Sequence, residues 1–160
     1  MSEPVRHTPV RDRLVVKVKP GAVAQLESVG QAEPVGQDGL VVVSLPQTRG
    51  DPKQAWQRLI QSDAVEWAAP VLEDESAEEH VPTGEVTVRF AHRPSQKDLE
   101  QFASANGLTL RDRNEFVEEQ AAFQVAQPRE TYLPDLISKL SQRRGVTRAW
   151  ANTLSRYRKA

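Results

Sequence analysis

The amino-acid sequence predicts an α+β protein in which one element order, β-α-β-β-α-β, is written twice. Three observations carry that prediction. Residues 73–84 (EDESAEEHVPTG) hold five acidic side chains and no Lys or Arg; residues 1–72 hold eight basic and eight acidic ones, and residues 85–160 thirteen and nine. Each half opens on an apolar strand pattern that ends at a turn. Each half also closes on an amphipathic helix whose last core leucine stands six residues before a strand-like run, Leu59 to Val65 and Leu140 to Val146.

In the first half, Leu14–Lys19 (LVVKVK) before Pro20-Gly21 reads as an edge or half-buried strand, and residues 1–13 read as a flexible N-terminus. A short helix over 22–29 stops at Gly30. The segments 32–37 (AEPVGQ) and 40–46 (LVVVSLP) flank Asp38-Gly39, a two-residue hairpin signal. Asp51 can cap a helix over 52–62 with Pro52 in its first turn, and Ala55, Trp56, Leu59 and Ile60 form its apolar face. Strand 65–69 follows, placing a first domain at 14–74 and an acidic linker at 75–84 that closes on Pro82 and Gly84.

The second half spans 85–150. Glu85–Phe90 alternates cleanly, with Val86, Val88 and Phe90 on one face. Ser95 and Asp98 form a capping pair ahead of Leu99, Phe102 and Ala103, and Asn106-Gly107 stops that helix. Strands 108–114 and 121–127 have a longer connection. Thr131 can cap a helix over 132–143 through Leu133, Leu136, Ile137 and Leu140, and Val146–Trp150 ends the unit. This is the ferredoxin-like order, so the expected architecture is two tandem ferredoxin-like units, with one irregular α+β domain as the competing reading. Units of ~70 residues without disulfides have a thin stability margin, and Trp56, Trp67 and Trp150 read first as packing residues.

Composition excludes several classes. With 38% hydrophobic and 27% charged residues the chain is too apolar for disorder. A formal net charge of −1 lacks the basic excess of a dedicated nucleic-acid binder. The absence of cysteine removes disulfides, thiol nucleophiles and thiolate metal sites. Apolar runs fall far short of the ~20 residues of a membrane span, and no h-region follows the N-terminal charges. A soluble cytoplasmic protein that binds neither membrane nor nucleic acid is expected.

Chemistry is sparse. His7, His80 and His92 fall on terminus, linker and loop, none with a histidine or carboxylate partner at ligand spacing, so no metal site is expected. Ser95 lies near His92 but is better explained as a helix cap. GxGxxG and GxxxxGK[ST] are absent, and the pairs Glu78-Glu79 and Glu118-Glu119 read as solvated surface. Phe123 is the single aromatic on the central strands, without the stacking pattern of an RNA-binding module. No catalytic residue, cofactor or metal is assigned, and no enzyme is expected.

One asymmetry remains. Residues 142–160 carry Arg143, Arg144, Arg148, Arg156, Arg158 and Lys159, with no acidic side chain after Asp135. A mobile basic terminus is one reading. The other is a segment bound in extended form by a partner, with Leu154 and Tyr157 as apolar anchors.

Both halves resemble the propeptide, or inhibitor I9, family of subtilisin-like serine proteases. The resemblance covers residues 14–74 and 85–157. It rests on the opening strands (LVVKVKPG, EVTVRFAHR), the second-unit helix (SQKDLEQFASANGL) and the closing segments LIQSDAVEWAAPVLED and LSQRRGVTRAWANTLS, the latter with Ala151 where the former has Pro70. It implies a sheet that packs on protease helices and a C-terminal tail lying substrate-like in the active-site cleft. Carried over, a free-standing inhibitor acting in trans is expected, its partner a subtilisin-like protease encoded nearby. The contacting tail would be Leu154, Ser155, Arg156, Tyr157, Arg158, Lys159 and Ala160, with a second contact, as a loop, at Pro70, Val71, Leu72 and Glu73. Inhibition would be relieved by degradation near the linker. The alternative function is a non-inhibitory ferredoxin-like module for protein interaction or a small regulatory ligand.

Overall fold

A computed structural model describes residues 8–19, 31–35, 40–44, 52–76 and 78–154. The architecture is α+β with two β-sheets, and the chain divides into two compact units, Met1–Pro82 with Thr153–Ala160, and Thr83–Asn152.

The first unit contains β1 (Thr8–Val18), β2 (Gln31–Pro34), β3 (Leu40–Ser44), α1 (Pro52–Leu59), β4 (Val65–Glu73) and β5 (Glu79–His80). Its strand order is β2-β3-β1-β4-β5. The opening strand, expected as an edge or half-buried element, is central: β1 pairs antiparallel with both β3 and β4. Consecutive residues Leu14, Val15 and Val16 of β1 and Val41, Val42 and Val43 of β3 are all buried. Because neighbouring strand residues point to opposite faces, such runs mean that both faces are covered. Helix α1 buries Ala55, Trp56 and Leu59, and the Trp56 indole N–H donates to the Ala68 carbonyl at 2.7 Å.

Two boundaries differ from the sequence reading. Strand β1 begins at Thr8, with Thr8 opposite Glu73 and Pro9 opposite Leu72, so residues 8–13 belong to the sheet and not to a flexible terminus. Strand β4 runs through Pro70 to Glu73. Pro70 is tolerated because β5 pairs only with Leu72 and Glu73, leaving β4 without a second strand neighbour at position 70. The acidic stretch, expected as an exposed linker, folds back. Asp74 N–H donates to the Glu78 carbonyl at 2.9 Å, β5 pairs with β4, Arg13 pairs with Glu79, and β6 starts at Pro82. The first-unit helix over 22–29 and the Asp38-Gly39 turn lie outside the described residues.

The second unit contains β6 (Pro82–Phe90), α2 (Gln96–Ala105), β7 (Leu108–Arg113), β8 (Gln120–Val125), α3 (Leu133–Ser141) and β9 (Val146–Thr153), in strand order β7-β8-β6-β9. Strand β9 runs antiparallel to β6, since Thr83 bonds to Asn152 at one end and Thr147 to Arg89 at the other. The alternation in β6 holds, with Val86 and Val88 buried. Val86 is paired with Phe123 of β8, and Leu99 of α2 and Leu140 of α3 are buried in the same unit. Phe102 bridges Phe90 and Phe123, with ring centroids 5.0 and 5.5 Å away.

Local signals explain the helix ends. Ser95 Oγ accepts from Asp98 N–H at 3.0 Å while Asp98 Oδ2 accepts from Ser95 N–H at 3.2 Å, a complete capping box. At the other end Asn106 Nδ2 donates to the Phe102 carbonyl at 2.8 Å, and Gly107 takes φ +67°. Helix α3 departs from expectation. Thr131 Oγ1 donates to the Gln127 carbonyl and so belongs to the preceding 3-10 turn (Pro128–Glu130); α3 starts after Tyr132 with a proline in its first turn. Among the described residues no helix is long and apolar enough to cross a membrane.

Candidate functional site on the second sheet

The second unit has its helices on one sheet face, because Val86, Val88, Ala121 and Phe123 point that way. Strand alternation therefore sends Thr87, Arg89, Gln120, Ala122, Trp150 and Asn152 to the opposite face. Side-chain bonds fix them there. Thr87 Oγ1 donates to Asn152 Oδ1 at 2.7 Å. Arg89 Nε donates to Gln120 Oε1 at 2.9 Å, and its guanidinium lies 5.9 Å from the centre of the Trp150 ring, a cation–π arrangement.

A cleft of about 490 Å3 opens on this face, lined by Thr87, Asp112, Phe116, Ala122 and Trp150 among others. Its outer wall is the β7–β8 connection. Asn114 Oδ1 accepts from the N–H groups of Phe116 and Val117 at 2.8 and 2.9 Å, and Gln120 N–H donates to the Val117 carbonyl at 3.0 Å. The loop is thus held by its own hydrogen bonds while Phe116 stands 94% exposed. A bulge between Leu110 and Asp112 turns Asp112 onto the cleft side, opposite Ala122. Two aromatic side chains, a polar floor and the charged groups of Asp112, Arg113 and Glu115 suit capture of an amphipathic group.

The expected contact residues are distributed unevenly. Leu154 follows β9 half-buried, its N–H donating to the Val81 carbonyl at 2.9 Å. Ser155, Arg156, Tyr157, Arg158, Lys159 and Ala160 lie outside the described residues. In the stretch expected as a second contact, Pro70, Val71 and Leu72 are buried inside β4 and Glu73 is half-buried and strand-paired, so its conformation is strand and not the expected loop. Of the three tryptophans, Trp56 is buried, whereas Trp67 and Trp150 are half-buried.

Sequence reasoning missed Phe116, which sits inside a polar connection without periodicity. It also missed a carboxylate partner for a histidine: His80 Nε2 lies 2.8 Å from Asp74 Oδ2. That hydrogen bond, with backbone N–H donors from Ser76 and Glu78, holds the Asp74 carboxyl below its usual value against the opposing effect of burial. The available signal was a pair six residues apart across a turn, visible only once the stretch is read as a hairpin. Asp74, Glu78 and His80 are the described residues able to share a metal ion. In comparison with known proteins, no family model matches the sequence and no curated protein matches it.

Proposed function

We propose that the protein is a non-catalytic inhibitor of a subtilisin-like serine protease, built from two ferredoxin-like, propeptide-like units and acting in trans. One observation carries the reading. The second unit presents a sheet face opposite its helices, and its edge strand β9 ends at Thr153, directly before the basic segment 154–160 in the sequence. An edge strand continued by a segment with alternating anchors suits insertion into an extended substrate cleft. The aromatic face beside Trp150 would add area outside the cleft. The matching strand order of the two units, with β5 as an addition in the first, supports the tandem reading. Burial of Pro70–Leu72 within strand β4 is consistent with a contact made through the second unit.

The test is peptide hydrolysis by a purified subtilisin-type protease with the full-length protein and with a variant ending at Leu154. Inhibition and a complex on gel filtration, both lost on truncation, support the proposal. Unchanged hydrolysis at excess protein, with no complex, refutes it. The cleft beside Trp150 favours a second reading, a ferredoxin-like module for a small regulatory ligand or another protein. Recovery of one consistent non-protease partner would support that reading.

A further inference from the structure

The turn between β4 and β5 gathers three metal-ligating side chains. Donor atoms of Asp74, Glu78 and His80 lie within 4.8 Å of one another. They converge because Asp74 Oδ1 accepts from the backbone N–H groups of Ser76 and Glu78, at 2.8 and 3.1 Å, and because β5 then sets His80 opposite Leu72. The geometry points to a divalent transition-metal site of the zinc class at this hairpin, with Asp74, Glu78 and His80 as its protein ligands. The inference is independent of protease inhibition.

The donor set decides the class of ion. An imidazole nitrogen suits zinc, cobalt and nickel, whereas calcium and magnesium take oxygen ligands. The 2.8 Å between His80 Nε2 and Asp74 Oδ2 also fits one edge of a coordination shell. With ligand bonds of about 2.0–2.1 Å, that edge subtends roughly 85° at the ion, near the right angle of a six-coordinate site; a tetrahedral ion needs the pair to open by about 0.6 Å. Side-chain exposure is 9% for Asp74 and 22% for His80, so two ligands are largely shielded from water, while Glu78 is exposed. Water completes the shell.

The neighbouring charges favour a cation. Arg13 of β1 is paired with Glu79 of β5, and Glu73 of β4 stands opposite Glu79. A coordinating Nε2 carries its lone pair toward the ion, so ligation replaces the His80–Asp74 hydrogen bond. The bound ion would fasten β5 to β4.

The experiment is calorimetric titration of the chelator-treated full chain with zinc chloride at pH 7.5. The expected result is saturable one-to-one binding, at least about tenfold weaker in His80→Ala and in Glu78→Gln. The double variant His7→Ala/His92→Ala should bind within about twofold of the parent. Because His80→Ala also removes a hairpin contact, the exposed Glu78→Gln change separates ligation from folding. No saturable binding by the parent chain, unchanged affinity in Glu78→Gln, or loss of binding in the His7/His92 variant would each overturn the assignment.

Discussion

Replacing Phe123 by alanine tests whether the second unit is a separate cooperative body. The side chain is 0% exposed and its ring stands 5.5 Å from that of Phe102, which in turn meets Phe90 edge-on. Truncating such a phenylalanine costs ~3–5 kcal/mol in lost transfer energy and an unfilled cavity. The unit is about 70 residues long. At ~0.05–0.15 kcal/mol per residue its total stability is roughly 3.5–10 kcal/mol, so the loss is a third or more of it. Native-state hydrogen exchange read by mass spectrometry resolves the effect by segment. Slow amides of β6, β8 and α3 should exchange about 150- to 4,000-fold faster, the factor that corresponds to ~3–5 kcal/mol. Amides of β1, β3 and α1 should stay within a few-fold of the parent. An acceleration below tenfold in β6 and β8 would refute a core closed around Phe123. Equal acceleration in β1 and β3 would refute separate cooperativity.

Three further outcomes follow from named contacts. Ser95→Ala removes the hydroxyl half of the capping box at α2 and should lower stability by ~1 kcal/mol in urea unfolding, with little added by Asp98→Ala because both serve the same turn. Trp56→Phe deletes the 2.7 Å donor to the Ala68 carbonyl inside the first unit and should cost ~1–3 kcal/mol, measured by the same unfolding curves. The Asp74 carboxyl, held down by its bond from His80, has a folded pKa below its ordinary 3.8, so its contribution is complete above that value and is lost as pH falls below it. Asp74→Asn should therefore flatten the acid limb of a stability–pH curve, and an unaltered limb would show that the pair contributes nothing.

Legibility in the sequence tracked how local each signal was. Ser95 with Asp98, the alternation of Val86 and Val88, and the face made by Ala55, Trp56 and Leu59 depend on neighbours within one or two turns, and each is realised in the structure. Thr131 shows the limit of the same reasoning, since a capping residue can serve either of two adjacent turns and here serves the earlier one. The acidic stretch misled because its composition resembles a linker, whereas its structure depends on Arg13, sixty-six positions upstream of Glu79. The role of β1 was equally hidden: Leu14–Lys19 has the pattern of a strand, but no local feature shows that it has a partner on each side. The candidate face was half legible. Trp150 was singled out for packing, while Phe116 and the bulge that aims Asp112 at the cleft arise from pairing register, which a single sequence does not encode locally.

The two borders of the second sheet differ in a way that bears on aggregation. At β7 the ladder is broken between Leu110 and Asp112, and the border is crowded with charge, Arg111 reaching Glu85 at 3.3 Å. A kinked, charged border is a poor template for another chain. Strand β9 (Val146–Thr153) ends the sheet on the other side and is two residues longer than β7. Polymerisation by strand addition is therefore directed to one side of this unit. Deleting Arg111 would restore a continuous ladder at β7, giving the sheet two open ends and converting a chain-terminating geometry into one that can propagate.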